Sequence, residues 1–195
     1  MTSLLSRVVL GLLLPAIVPG QNLVQNADFD TDLTGWTSTG GGGAVWDMTI
    51  GSPSPGSAKV TAGAGVIETL TQCVMLPSKL ASSVSLSANV YVFSDSTNAT
   101  GNGYVLQTAA YADAACSDAE SYVGNSILLP VATTMWTPVS NNFYQLPAGY
   151  QSMLVSIRVA GNLYYADYAF DHFSLTQVTD RIFATGFELN EGFQN

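Results

Sequence analysis

Apolar and polar residues alternate over short stretches along most of this chain. In the clearest stretch, serine, asparagine and tyrosine separate five apolar residues: Val84, Leu86, Ala88, Val90 and Val92. The same alternation returns at 155–160. A period of two residues is typical of a strand with one buried face, and helical periodicity is nearly absent.

Segments rich in glycine, proline, serine and asparagine separate these stretches, at 40–43, 52–56, 96–103 and 147–149. Such residues favour turns. The remaining predicted strands lie near 44–50, 57–62, 66–74, 103–111, 121–129, 135–145 and 168–177. About ten short strands with this spacing predict an all-β fold, an antiparallel β-sandwich. The single predicted helical turn covers 113–120.

Residues 1–20 differ from the rest and have the pattern of a bacterial-type signal peptide. Arg7 precedes an apolar stretch at 8–18 that is too short to span a bilayer. Val18 and Gly20 are small residues that suit cleavage before Gln21. The alternatives are a buried N-terminal strand and an uncleaved anchor. We expect export to the outside of the cell.

Beyond the signal peptide we expect one β-sandwich domain at 21–178 and a tail at 179–195. The tail is polar and acidic, and it forms either a disordered end or a short segment docked on the domain. No later stretch approaches the length of a membrane span. We expect a monomer without a membrane span.

Charged residues make up only 10% of the chain, and 14 acids against 5 Lys and Arg give a net charge of -9. An acidic chain without a basic cluster is a poor candidate for binding nucleic acid or an anionic membrane. Most of the surface must then consist of neutral polar residues, as is common in secreted β-proteins.

Cys73 and Cys116 are the only cysteines. In an exported protein such a pair most simply forms one disulfide, which would stabilise the fold by about 4 kcal/mol in the chain-entropy model. The alternatives are free thiols and half of a metal site. A metal held by two thiolates needs further soft or imidazole ligands, and the chain has one histidine.

Residues suited to catalysis are sparse. His172 lies within the alternation of the last predicted strand, which is more typical of a structural histidine than of a catalytic one. The sequence has no G-x-S-x-G elbow and no P-loop. Paired carboxylates would serve a glycosidase without histidine, but no pair stands out. We therefore expect a protein that is not an enzyme.

Four segments together resemble a known family: N-L-V-Q-N-A-D-F-D-x-x-L-T-G-W at 22–36, G-S-A-K-V at 56–60, W-T-P-V-S-x-x-F-Y-Q-L-P-A-G at 136–149 and A-F-D-H-F-S-L at 169–175. They resemble the carbohydrate-binding modules with a galactose-binding-like jelly roll, the group that includes xylan- and cellulose-binding modules of bacterial glycanases. This resemblance implies a secreted, non-catalytic module that binds polysaccharide on a concave sheet. Because the scaffold serves unrelated tasks, the alternative is a structural or adhesive extracellular protein without a glycan ligand.

Sugar rings stack on exposed aromatic faces, and their hydroxyls bind amides, carboxylates and guanidinium groups. The polar phases of the predicted strands offer Asn89, Tyr91, Gln107 and Arg158 as ligand-binding residues, and Trp46 is placed to cap one end. If the strands of Tyr91 and Arg158 belong to one sheet, their side chains share an outer surface. The alternative is an ordinary solvated sheet face.

Other aromatic residues are interpreted as structural, because in such modules these positions pack in the core or cover a sheet edge. They are Phe29, Trp36, Trp136, Phe143, Phe170 and Phe173.

The resemblance also implies a structural calcium ion where the first and last strands meet. The matching acids are Asp30 and Asp171, and backbone carbonyls near Asp28 and Lys59 would complete the shell of oxygens. Asp30 stands where glutamate is commoner, and its shorter side chain would hold the ion more loosely. The alternative is that the acids form hydrogen bonds in turns.

Export and the disulfide are tested by intact-mass measurement of the secreted protein. We expect a chain that begins at Gln21 and gains two hydrogens on reduction, because Cys73 and Cys116 are joined. Free thiols in the unreduced protein would contradict this prediction.

Overall fold

The computed structural model describes residues 20–93, 103–118, 121–128, 134–161 and 166–179. Nearly all of the predicted signal peptide and tail lie outside these ranges. The described residues form ten strands: β1 (Thr37–Gly40), β2 (Ala44–Asp47), β3 (Ser57–Ala62), β4 (Ile67–Met75), β5 (Ser82–Val92), β6 (Gly103–Tyr111), β7 (Ser121–Leu128), β8 (Thr137–Leu146), β9 (Ser152–Ala160) and β10 (Ala166–Thr179). Over the same residues, no helix has the length and apolar character needed to cross a membrane.

The strands form two five-stranded antiparallel sheets. Sheet I has the order β1-β4-β9-β6-β7, and sheet II has the order β2-β3-β10-β5-β8. The predicted all-β antiparallel sandwich is therefore confirmed.

The core lies between the inner faces of the two sheets. Alternate residues of β5, from Val84 to Val92, are buried there, as the sequence predicted. From sheet I, β9 contributes Val155, Ile157 and Val159, which are also buried. Removal of this apolar surface from water is the main driving force for pairing the sheets.

Two local predictions differ from the structure. β1 was not predicted, because its sequence Thr-Ser-Thr-Gly is fully exposed and carries no apolar alternation. The helical turn predicted at 113–120 is wrong over 113–118, where the chain forms bends. The Asp113 carboxylate accepts hydrogen bonds from the backbone N–H groups of Ala115 and Ser117, and such local bonds compete with helix formation.

The N-terminal segment at 22–27 lies beside the last strand. The N–H of Leu23 donates to the carbonyl of Leu175 at 2.9 Å, and the N–H of Phe173 donates to the carbonyl of Ala27 at 2.9 Å. Strand β3 pairs with β10 only as far as Phe170. The segment therefore occupies the position beside β10 that β3 leaves open.

A pair of glutamines ties this segment to sheet I. Gln72, on β4, accepts from the N–H of Gln25 at 2.8 Å and donates to the carbonyl of Gln25 at 2.9 Å. Gln72 is buried, so both bonds are shielded from water and the amide is satisfied. The N-terminal segment thus binds both sheets.

Three aromatic rings from the two ends of the domain pack together in the core. Phe29 lies 5.4 Å from Trp36 and 5.9 Å from Phe173, and Trp36 lies 5.0 Å from Phe173, between ring centroids. All three side chains are buried, which confirms their structural interpretation.

The glycine run at 40–43 carries the chain from sheet I to sheet II. The buried carboxylate of Glu68 accepts hydrogen bonds from the Ser38 hydroxyl and from the N–H of Gly42. A Cβ atom at Gly42 would lie 1.8 Å from the carbonyl oxygen of Thr61, so no larger residue fits without moving the backbone.

Cys73 and Cys116 form a disulfide with a Cα–Cα distance of 5.9 Å. The bond joins β4 to the loop that follows β6, on the outer side of sheet I. The predicted pairing is confirmed, and the two alternatives, free thiols and a metal half-site, are excluded.

Replacement of Phe173 by alanine tests the aromatic packing. Loss of a fully buried ring at the contact between the chain ends should lower the free energy of unfolding by about 3–5 kcal/mol. Leu80→Ala is the control, because Leu80 is 55% exposed and its loss should change stability by no more than about 0.5 kcal/mol. Urea denaturation measures both, and equal effects would contradict the prediction.

Candidate functional site

The five predicted ligand residues do not share one surface. Asn89 and Tyr91 lie on β5 in sheet II, whereas Gln107 and Arg158 lie on β6 and β9 in sheet I. The prediction of a single surface is therefore wrong. Alternation along a strand distinguishes inward from outward residues, but it does not say to which sheet the strand belongs.

Trp46 does not cap an outer surface. It pairs with Ala58 across β2 and β3 and packs partly buried against the core. Its indole N–H donates to the carbonyl of Phe29 at 2.6 Å. On this short edge strand Val45 is the outward residue, 58% exposed, whereas Trp46 points inward and cannot cap the predicted surface.

Gln107 and Arg158 belong to a continuous polar surface on sheet I. The register places Arg158 directly opposite Thr69 of β4, and places Ser156 between Thr71 of β4 and Gln107 of β6. We call these five residues the polar face. Two more threonines of β1, Thr37 and Thr39, extend it towards the sheet edge.

The polar face offers both donors and acceptors. Arg158 is exposed. The ion pairs found among the described residues join other side chains, Lys59 to Asp167 and His172 to Asp28. A guanidinium, an amide and hydroxyls at strand spacing suit a ligand that carries many hydroxyl groups.

Tyr91 lies on the outer side of sheet II in an aromatic cluster with Phe93 and Trp136. The ring of Tyr91 is 5.1 Å from that of Phe93 and 5.7 Å from that of Trp136, between centroids. All three are half-buried. Trp136 was predicted to be structural, and Phe93 was not predicted to be part of a site. Phe93 lies two residues after Tyr91, so both side chains point to the same side of the sheet.

A pair of opposite charges borders the aromatic cluster. The ammonium of Lys59 lies 4.6 Å from the centroid of Phe93, a cation–π distance, and 3.0 Å from a carboxylate oxygen of Asp167. The two charges of this pair compensate each other, and the carboxylate of Asp47 on the neighbouring strand β2 also interacts with Lys59.

A loop at 51–54 covers another part of the outer side of sheet II. The Ser52 N–H donates to Asp171 at 2.6 Å, and the side-chain amide of Asn89 donates to the carbonyl and hydroxyl of Ser52, both at 3.3 Å. Asn89 thus holds the loop at 51–54, whereas it was predicted to contact a ligand. The second oxygen of Asp171 accepts the N–H of His172 at 2.7 Å. Burial raises the pKa of Asp171 to about 6, against the opposing effect of the two N–H donors.

The side chains of the other residues named for the calcium site have protein partners of their own, whereas the prediction for Asp28 and Lys59 concerns backbone carbonyls near them. Asp28 binds the Nδ1 atom of His172 at 2.7 Å, and Asp30 accepts the hydroxyl of Ser54 at 3.4 Å. Lys59 lies in the middle of β3, with its side chain against Phe93. Among the residues that the structure describes, no three His, Cys, Asp or Glu side chains are grouped to hold a metal. The calcium ion stays a prediction.

No protein-family model and no curated protein matches the sequence. Solved structures are similar in fold. The CBM22-1 xylan-binding domain of Paenibacillus barcinonensis Xyn10C has a TM-score of 0.60 at 18% identity, over 85% of this chain and 99% of that chain. TmCBM61 in complex with β-1,4-galactotriose has a TM-score of 0.56 at 14% identity, over 80% of this chain and 99% of that chain.

The enzymatically active domain of tailspike protein 4 from bacteriophage CBA120 is also similar, with a TM-score of 0.59 at 13% identity. The match covers 80% of this chain but only 21% of the tailspike chain. Together these similarities identify the fold as the β-sandwich of carbohydrate-binding modules, as the sequence resemblance implied. At such low identities the likeness concerns the fold, and a ligand has to be argued from the residues of this chain.

Removal of metal tests the calcium prediction. If calcium binds the folded protein alone, a chelator should lower the melting temperature and added calcium should restore it. An unchanged melting temperature in both conditions would contradict a bound ion.

The pH dependence of stability tests the environment of Asp171 in calcium-free protein. Because its folded-state pKa of about 6 lies above the ordinary value of 3.8, the ionised carboxylate destabilises the fold at neutral pH. The stability of wild type relative to Asp171→Asn should therefore rise as pH falls from about 7 to about 5. A difference that stays constant in urea denaturation would show that the carboxylate remains ionised.

Proposed function

We propose that this protein is a secreted, monomeric, non-catalytic module that binds neutral polysaccharide through the polar face of sheet I. The observation that carries the proposal is the register of β4, β9 and β6. It gathers Thr69, Thr71, Gln107 and Arg158 around Ser156 on the outer side of sheet I, where Ser156 itself is buried and the other four side chains are accessible. Each of these four side chains forms hydrogen bonds with hydroxyl groups readily, and together they line a strip that a sugar chain would follow.

The fold supports this ligand class. A xylan-binding domain and a module solved with β-1,4-galactotriose have the same sandwich. The net charge of -9 disfavours acidic polysaccharides, because the protein and such a chain would repel each other at low salt.

The composition of the polar face supports binding without catalysis. Glycoside hydrolysis commonly uses two carboxylates on either side of the scissile bond. None of the five residues of the polar face is an acid or a histidine. The single histidine, His172, lies on sheet II, paired with Asp28.

The alternative function, a structural or adhesive protein without a glycan ligand, is favoured by a different observation. The five residues of the polar face include no aromatic ring, and three of them are Ser or Thr. A surface that contacts sugars commonly adds the stacking energy of a ring to its hydrogen bonds. Binding measurements therefore have to decide between the two functions.

Binding to insoluble xylan and β-1,4-galactan tests the proposal. We expect the wild-type protein to be retained, and the variant with both Arg158→Ala and Gln107→Ala to bind about tenfold more weakly, because a charged hydrogen bond contributes about 1.5–3 kcal/mol.

Lys79→Ala is the matched control, since Lys79 is another exposed cation but lies outside the polar face. Equal retention of the double variant and the control would place the binding surface elsewhere. A wild-type protein that neither polysaccharide retains would favour the alternative function.

A further inference from the structure

We propose that the aromatic cluster on sheet II is a second, separate contact site for a neutral sugar residue, on the face opposite to the polar face. The inference shares its ligand class with the proposed function but uses none of the same residues. A module with both sites would bind glycan from its two sides.

The position of the cluster is unusual for its sheet. The outward residues of β5 before Tyr91 are Ser83, Ser85, Ser87 and Asn89, all small or polar. Aromatic rings then gather at this one end, where Tyr91 is joined by Phe93 and Trp136. They remain partly exposed, and Met135 beside Trp136 is 70% exposed. An accessible aromatic surface at one end of an otherwise polar strand face is a common feature of ligand sites.

The geometry of the rings indicates the size of the ligand. The plane of Tyr91 is tilted by 74° from Phe93 and by 52° from Trp136. A crystalline polysaccharide presents a flat surface, which can lie only against rings that share one plane. Tilted rings instead form a corner that fits a single sugar unit of a soluble or amorphous chain. Because the rings already pack against one another, few rotamers have to be fixed on binding.

The neighbouring charges indicate the chemistry of the ligand. Lys59 and Asp167 are both partly exposed, with 27% and 17% of their side chains accessible. One oxygen of Asp167 is buried and the other binds Lys59, so the ammonium is the group of the pair that can donate to a sugar hydroxyl. The zero net charge of this pair within a chain of net charge -9 suits an uncharged ligand. Phe93, covered by Lys59, supports the corner, and Tyr91 and Trp136 provide the contact surface.

Tryptophan fluorescence separates this site from the polar face. Trp36 is buried in the core, and Trp46 faces inward with its indole bonded to Phe29. Trp136 is the remaining tryptophan, and the polar face has none. A change in emission on addition of sugar therefore reports contact at the aromatic cluster, whereas retention on insoluble polysaccharide reports binding at either face.

The experiment titrates xylo-oligosaccharides and β-1,4-galacto-oligosaccharides into four proteins and records tryptophan emission. We expect a saturable change in wild type and in the double variant Arg158→Ala with Gln107→Ala. Tyr91→Ala should weaken the affinity reported by emission about tenfold, since an aromatic stacking contact contributes up to about 1.5 kcal/mol. Ser87→Ala, on the same face of β5, is the control and should behave as wild type.

A fifth protein, the variant Tyr91→Phe, keeps the ring and should keep the emission change, so that a loss of folding in Tyr91→Ala does not leave the test without a result. Retention on polysaccharide without any emission change would overturn the second site and leave the proposed function standing. Loss of the emission change in the double variant would show that the two faces are not separate sites and would also overturn the inference. If neither retention nor an emission change is observed, both proposals fail.

Discussion

The packing of Phe29 and Trp36 against Phe173 is the contact on which the rest of the sandwich depends. Strand β3 stops pairing with β10 at Phe170, so the second half of β10 would have a neighbour on one side only, β5, without the N-terminal segment. The three rings fix that segment against the core, and the Gln25–Gln72 bonds then fasten it to sheet I. The spacing of the sheets, and with it the shape of both outer faces, follows from this closure.

Sequence alternation predicted the inner face of β5 residue by residue, because a strand with one buried side has an apolar residue at every second position. β1 has no such alternation, since both sides of Thr37–Gly40 are exposed. The candidate site was harder to predict for a different reason. Tyr91 and Arg158 were both correctly placed on outer surfaces, but which sheet each strand joins depends on long-range pairing. Trp46 was misplaced because a four-residue edge strand offers too few positions to establish a phase.

Several of the few charged residues of this chain have a structural role. In the part of the chain that the structure describes, three acids accept hydrogen bonds from the backbone: Glu68 holds the glycine crossing, Asp113 shapes a loop, and Asp171 anchors the loop at 51–54. Carboxylates used in this way are satisfied by N–H groups of the protein. They explain why an acidic protein can present a polar face that contains no carboxylate.

The central place of the last strand has a consequence for how the chain reaches its native state. β10 lies between β3 and β5 in sheet II and also receives the N-terminal segment. Neither the sheet nor the closure can form until residues near 175 have been synthesised. Contacts between such distant parts of a chain make folding slow. Sheet II therefore stays open until β10 has been made, and an open chain is the form in which a polypeptide threads through a narrow channel.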